Sequence, residues 1–314
     1  MPAIPYYWTP EELARDAGEA RRIFVQQRLA LEDDDRRHYG GVLDDGVAAA
    51  MRLVESTDGL RHVTGDALRE RTVLNIARYA TRSLISLDDL DTLTNSCFGA
   101  WVGQSTDRGQ RPTAAAFEAA AGIVAPRLDP MRAPWLATGQ APSAEEALRF
   151  AQWTGSILAA SRLIAYRRNR GAQRQEEATR QAIVAAGYAE RPTPGRGFDP
   201  LAHLAPASFA GRARSVGGAS MDVPCRLRDG HPSGIEFVAI ECKESNSSIN
   251  SRKRLFEVSD KRTRWDASGR LPNLNRTVAV LAGVYDLGEL AAAQQRGIYV
   301  VWEHRLPDLT DFLR

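Results

Sequence analysis

Asp222, Glu241 and Lys243 are the residues whose types and spacing could do chemistry. Glu241 and Lys243 stand two apart in the apolar run GIEFVAIECKESN, residues 234 to 246. Side chains two apart on a strand share a face, so these two project together while Cys242 turns to the opposite side. Asp222 lies in an earlier alternating stretch, joined to this run by the turn RDGHPSG over 228–234. In an antiparallel hairpin the two strands run ~4.8 Å apart, so with matching register all three side chains converge. Two carboxylates plus a backbone carbonyl, that of Cys242, suit a hard cation such as Mg2+, with Mn2+ able to substitute. An adjacent ammonium can orient a water and stabilise negative charge developing on a phosphate. The plainer alternative is that Lys243 only neutralises Glu241 or Asp222. The choice of lysine favours chemistry. Of 41 Lys and Arg residues only those at 243, 253 and 261 are lysine, and all three fall in one short segment. An ammonium is a compact charge whose pKa moves on burial, whereas a guanidinium is a wide, permanently charged fork. A chain that uses arginine almost everywhere and lysine here points to a need for the ammonium itself.

The elements that must position these residues are legible in outline. Thr9-Pro10-Glu11-Glu12 is a capping box with proline at the first helical position, and Leu13, Ala17, Ala20 and Phe24 follow at helical spacing. Ser86-Leu87-Asp88-Asp89 starts another helix, and Ser143-Ala144-Glu145-Glu146 opens a long run toward Tyr166. After Arg170 the pattern changes. A helix is predicted from Gln175 to Tyr188, closed by Gly187, and residues 191–200 form a proline- and glycine-rich connection. From Ser220 a strand directs Met221, Val223, Cys225 and Leu227 one way and Asp222, Pro224 and Arg226 the other. A strand over Ile235–Lys243, a helix over Asn250–Trp265, a strand over Thr277–Leu281, a helix over Leu287–Gln295 and a strand over Ile298–Glu303 complete the chain. This predicts a mixed α/β domain over 166–314 and an all-helical N-terminal region over 1–165.

Bulk properties narrow the function classes. The chain has 314 residues, 43% hydrophobic and 25% charged, as in an ordinary globular protein. Its net charge is only +2, but residues 1–100 are acidic on balance and residues 162–276 basic. That asymmetry fits a polyanion partner or an arginine-rich solvated surface. The start of the chain has no basic n-region followed by an apolar core, so no signal peptide is expected. The longest uncharged helical run, Phe150 to Ser161, is too short for a bilayer, which takes about 20 residues, so no membrane association is expected. Cys97, Cys225 and Cys242 show no paired spacing, which fits a reducing cytoplasm and gives no zinc site. The five histidines show no ligand spacing, and no lysine lies in a P-loop context.

Directly beyond Lys243 come Ser245, Asn246, Ser247, Asn250 and Ser251, then Arg252, Lys253 and Arg254. Short hydrogen-bonding side chains followed by basic ones suit phosphates and base edges of DNA. The alternative is a serine N-cap followed by a solvated basic turn. Arg162, Arg167, Arg168, Arg170 and Arg174 form a second basic cluster, equally readable as a solvated helix face.

Asp222 followed by Glu241-Cys242-Lys243 at the end of an apolar strand resembles the PD-(D/E)XK nuclease core, and the order of elements from Gln175 to Glu303 resembles that fold. The stretch ECKESNSSINSRKRL, 241 to 255, is similar to the XamI-type restriction endonuclease family, with looser support from SLDDLDTL at 86 to 93. The pattern departs where Phe256 and Glu257 replace the asparagines that follow in the family. The resemblance implies a restriction-endonuclease-like core, a mixed sheet flanked by helices, with a helical N-terminal region that embraces DNA or forms a dimer. It implies a homodimeric, Mg2+-dependent type II restriction endonuclease that cuts double-stranded DNA at a short palindrome in the bacterial cytoplasm, with a cognate DNA methyltransferase as genetic partner. Asp222 and Glu241 would bind the metal and Lys243 would position the attacking water. In this fold an acidic residue on the helix before the strands assists the site, here Glu177 in preference to Glu176, although complementing the helix dipole explains either. A structure-selective or repair nuclease on the same core, and a DNA-binding module with a vestigial site, are the alternatives.

Overall fold

The computed structural model describes residues 8–103, 111–192, 198–211, 213–216, 218–269, 271 and 275–314. Helix starts follow the sequence closely. The Thr9 hydroxyl accepts from the Glu12 amide and the Glu12 carboxylate accepts from the Thr9 amide, so α1 (Pro10–Ala30) begins at a complete capping box. Then come α2 (Glu32–Ser56), α3 (Arg71–Ala77), α4 (Leu87–Thr94), α5 (Phe98–Gly103), α6 (Ala114–Val124) and α7 (Trp135–Thr138). Ser86 and Asp89 make the same reciprocal cap at α4, and Ser143 with Glu146 at α8 (Ala144–Ala185).

Helix α8 is one continuous element of 42 residues, where the sequence predicts two helices with a change after Arg170. The intervening YRRNRGAQR lacks apolar periodicity, but arginine and glutamine are good helix formers. Periodicity reports what a helix packs against, not whether it continues.

Residues 32–167 group as one unit and residues 1–31 with 168–314 as the other. The first unit is helical, with Leu53, Leu68, Leu74, Ile76, Phe98, Phe117 and Phe150 fully buried. Helix α1, placed by the sequence in the N-terminal helical region, instead packs in the second unit. Its Leu13, Ala17 and Ala20 bury against Ala279, Leu281, Leu290 and Trp302.

The second unit is built on a six-stranded mixed sheet. Its strands are β1 (Ala189–Arg191), β2 (Ser208–Ala210), β5 (Val223–Arg226), β6 (Phe237–Ser245), β7 (Asn275–Gly283) and β8 (Ile298–Trp302), neighbours in that order. Strands β3 (Ala213–Val216) and β4 (Ala219–Met221) pair separately. Strand β5 runs antiparallel to β6, while β6, β7 and β8 are parallel. Helices α9 (Pro200–His203), α10 (Ser248–Ala267), α11 (Leu287–Gln295) and α12 (Leu306–Leu313) complete the unit.

Alternation along β6 sorts its two faces. Val238, Ile240 and Cys242 share a core with Ile183 of α8, Ala186 just beyond it and Phe312 of α12. Phe237 and Ala239 share the opposite core with Trp265 of α10. Glu241 and Lys243 continue this second side. The strand predicted from Ser220 is broken at Asp222, where the chain bends between β4 and β5. Met221 therefore packs with Ala239 and Trp265, while Val223 and Cys225 pack with Val238 and Ile240. The predicted alternation does not run through the bend.

Gly283 ends β7 at φ +94°, and a Cβ there would lie 2.0 Å from the Ser245 carbonyl oxygen, which also accepts from Val284 N at 2.8 Å. Gly283→Ala is expected to lower the urea midpoint, with about 1–3 kcal/mol from the backbone conformation alone and a further loss from the clash. An unchanged midpoint would mean that the β6–β7 end opens without loss. Among the described residues no helix is long and apolar enough to cross a membrane.

Candidate active site

The β5–β6 register pairs Val223 with Ile240 and Pro224 with Ala239, so one step further Asp222 stands opposite Glu241. The bend at Asp222 is fixed by two hydrogen bonds that cross this step. Asp222 N donates to Glu241 Oε1 at 3.3 Å, and Cys242 N donates to Asp222 Oδ2 at 3.0 Å. Lys243 Nζ then reaches Asp222 Oδ2 at 3.1 Å and Glu241 Oε2 at 2.7 Å. The three side chains named from the sequence thus meet on one face.

A fourth group joins them. Lys261 of α10 donates from Nζ to Glu241 Oε2 at 2.6 Å. The sequence contained a signal for it, since Lys261 is one of three lysines in an arginine-rich chain. Spacing along a strand could not reveal it, because Lys261 arrives from a helix 20 residues on.

Two carboxylates and two ammoniums give the cluster zero formal charge, in a place almost closed to water. Glu241 is 0% exposed and Asp222 7%. Burial opposes the Asp222 charge, yet the Lys243 and Lys261 ammoniums and the Cys242 amide hold its pKa below the ordinary range. For Glu241, burial and the Asp222 charge outweigh the two lysines and raise the pKa. Burial alone would lower the Lys243 pKa, but Glu241 and Asp222 drive it above the usual value. The two carboxylates are therefore unequal, with Asp222 the more firmly ionised.

The end of β6 is held from several sides. The Lys243 carbonyl accepts from Tyr285 OH at 2.8 Å. Glu244 pairs with Arg28 at 2.9 Å and with Arg174 at 3.4 Å, and Arg174 also reaches Glu303 at 3.0 Å. The absence of a side chain at Gly171 leaves room for Glu244, whose Oε2 would lie 2.5 Å from a Cβ there. Cys242 points the other way, with Sγ 3.5 Å from Thr179 Oγ1, and burial pushes its thiol well above the ordinary range.

The donor set suits a hard divalent cation. Among the described residues Asp222 Oδ1 receives no hydrogen bond, and Glu241 Oε1 receives only the long one from Asp222 N. Both are carboxylate oxygens, the ligands Mg2+ prefers. Among the described residues no group of three or more His, Cys, Asp or Glu side chains gathers. Two carboxylates without a closed cage match a cation that keeps waters and takes substrate oxygens.

The other predicted site residues separate. Helix α8 packs on the Cys242 face of β6, whereas Lys261 and Trp265 bring α10 to the Glu241 face. Glu177 on α8 is exposed and bonds Arg180 at 3.2 Å and Gln181 at 3.0 Å, not the carboxylate pair. Glu176 is half-buried and contributes to the field at the Cys242 thiol. Beyond β6, Ser245 and Ser251 are internal, at 1% and 0% exposed. The Ser245 hydroxyl donates to Ser247 O, and the Ser251 hydroxyl accepts from Asp286 N. Ser247 caps α10 by accepting from Asn250 N. Asn246 and Asn250 are both exposed, and Asn250 Nδ2 donates to Asn246 Oδ1 at 2.6 Å. Arg252 and Lys253 are exposed on the first turns of α10, while Arg254 is half-buried beside Glu257 at 3.3 Å. The accessible part of this segment narrows to Asn246, Asn250, Arg252, Lys253 and the edge of Arg254.

Comparison with known proteins reaches the same region. A family model described as XamI restriction endonuclease matches residues 58–302, a span that includes Asp222, Glu241, Lys243 and Lys261. Over 258 residues the chain is 29% identical to the Type II restriction enzyme XamI of Xanthomonas campestris pv. amaranthicola, covering 81% of this chain and 89% of that protein. No solved structure matches.

Proposed function

We propose, from the premise that the chain belongs to the XamI restriction endonuclease family, that it is a type II restriction endonuclease hydrolysing phosphodiester bonds of double-stranded DNA at a short palindrome. The observation that carries this is the register that sets Asp222 opposite Glu241, with the Lys243 ammonium on both. The six-stranded mixed sheet with its flanking helices is read as a PD-(D/E)XK core over 166–314 together with α1. The helical unit 32–167 is read as the part that embraces DNA or forms the homodimer.

Asp222, Glu241 and the Cys242 carbonyl would hold Mg2+, or Mn2+ in its place. A bound divalent cation supplies Lewis-acid polarisation and a lowered pKa for water. The residues supply the rest. Asp222 Oδ1 and Glu241 Oε1 would be the oxygens offered to the cation. Lys243 would donate to the attacking water and hold it toward the phosphate; as the new P–O bond forms and the bond to the departing sugar oxygen breaks, the water's proton passes to solvent and the sugar oxygen takes a proton from solvent. Exposed Asn246, Asn250, Arg252 and Lys253 would meet phosphates and base edges, with Arg254 at their margin. Ser245, Ser247 and Ser251 would shape that segment from within. A cytoplasmic location and a cognate methyltransferase, which would protect the host's own copies of the target, complete the reading.

Digestion of plasmid and phage DNA with the purified protein tests it. Discrete bands with Mg2+, absent with EDTA, are expected. Because the cluster is neutral without a metal, EDTA is expected to leave the melting temperature where it is, unlike a structural metal site. A smear, or cleavage that depends on forks or lesions, would point to a structure-selective nuclease. Intact DNA that shifts on a gel would point to a binding module.

A further inference from the structure

Glu241 Oε2 takes two ammoniums, and the two are not equivalent. Lys243 bridges, reaching Glu241 at 2.7 Å and Asp222 at 3.1 Å. Lys261 donates to Glu241 alone, at 2.6 Å. Their mountings also differ. Lys243 rides on the same strand as Glu241, whereas Lys261 rides on α10, which is anchored around it. Leu255 and Val258 on one side of Lys261 and Trp265 on the other are buried. Trp265 Nε1 donates to Ala219 O at 3.1 Å, tying the helix to the strand that precedes Asp222. Arg262 donates to Arg296 O at 2.5 Å. The base of the Lys261 side chain is therefore held to the strand before the bend and to the end of α11.

A divalent cation shared by Asp222 and Glu241 and an ammonium bridging the same two groups compete, since like charges a few ångströms apart repel strongly where little water screens them. A cation on the open Asp222 Oδ1 and Glu241 Oε1 would drive Lys243 off its bridge between Oδ2 and Oε2. Glu241, wholly buried, would then exchange the bridging ammonium for the cation, while the Lys261 ammonium at 2.6 Å, the nearer of the two, has no second carboxylate to leave. Lys261 is placed to stay.

We propose that Lys261 is a positioning residue of the reaction centre: it remains on Glu241 and keeps that carboxylate compensated and aimed, which releases Lys243 toward water and phosphate. This rests on the reading of Asp222, Glu241 and Lys243 as the reacting centre. It assigns the two lysines different tasks, one anchoring and one mobile.

The scarcity of lysine makes a direct test practical. Selective labelling of lysine side chains gives an NMR spectrum with three sets of signals, assigned with Lys253→Arg and Lys261→Met. On titrating the full chain with Mg2+ alone, the Lys243 signals are expected to move and those of Lys261 to hold. Movement of Lys261 toward the position of exposed Lys253, with Lys243 unmoved, overturns the assignment. In single-turnover cleavage at saturating Mg2+, Lys261→Met is expected to lose about 10²-fold in rate with DNA affinity unchanged, and Lys261→Arg to recover most of it. Mg2+ affinity by calorimetry is expected not to weaken in Lys261→Met, since a nearby positive charge is removed. A merely structural lysine would instead lower the melting temperature and weaken the metal together. If Lys261→Met does not fold, the wild-type NMR titration still decides. Asp222→Asn separates the reacting centre itself from the role of Lys261 within it. If it cleaves like wild type, or if no lysine responds to Mg2+, the reading of the centre itself fails. If it is inactive while Lys261→Met matches wild type in rate and metal binding, only the role of Lys261 fails.

Discussion

Lys243→Met is expected to abolish cleavage, by roughly 10³-fold or more in single-turnover rate, while DNA binding in a gel shift stays close to wild type. Methionine keeps the length and most of the packing of the lysine stem, so what is removed is the charge and its donors. Binding should survive because affinity for a duplex is carried mainly by phosphate contacts along the surface. Lys243→Arg is not expected to rescue. The planar guanidinium cannot occupy the space where one nitrogen meets Asp222 Oδ2 at 3.1 Å and Glu241 Oε2 at 2.7 Å. Parallel loss of binding and cleavage in Lys243→Met would show that the lysine is structural, the plainer alternative that its sequence position also allows.

Glu241→Ala should damage both the chemistry and the fold. The carboxylate is 0% exposed and is the acceptor for both Lys243 and Lys261. Removing it leaves two ammoniums beside a single carboxylate, Asp222, in a region nearly closed to water. Breaking a buried pair from one side costs about 3–5 kcal/mol, so the urea midpoint should fall markedly as cleavage is lost. Glu241→Gln keeps the shape and an acceptor oxygen, so it should be equally inactive with a smaller loss of stability. If Glu241→Ala unfolds at the wild-type urea concentration, the four charged groups do not form the closed cluster described.

Much of this arrangement was legible in the residues, for identifiable reasons. Strand alternation is a local rule, so Glu241 and Lys243 could be placed on one face and Cys242 on the other from three consecutive letters. The capping boxes at Thr9, Ser86 and Ser143 are likewise local, and each is present. The convergence of Asp222 depended on register, which the sequence left open and the pairing of Val223 with Ile240 supplies. What escaped prediction was long-range. The continuity of α8 was hidden because its middle is polar. The packing of α1 on β7 links residues more than 250 positions apart, with no pattern to announce it. Ser245 and Ser251 look like DNA-facing hydroxyls by composition, yet their burial follows from the loop that carries the chain from β6 into α10. Lys261 needed the helix to be laid across the sheet before its partner could be named.

The two faces of β6 have a consequence for heredity. Positions 237, 239, 241 and 243 form one series and 238, 240 and 242 the other, and the series have nothing in common: one ends in charge, the other is apolar throughout. Deleting or inserting a single codon inside this strand would exchange them, presenting a cysteine where a carboxylate is needed and burying a glutamate under α8. Substitutions can accumulate here one at a time, but length cannot. Descendants of this gene should therefore gain and lose residues in the turn at 228–234, while the distance from Phe237 to Lys243 is inherited intact.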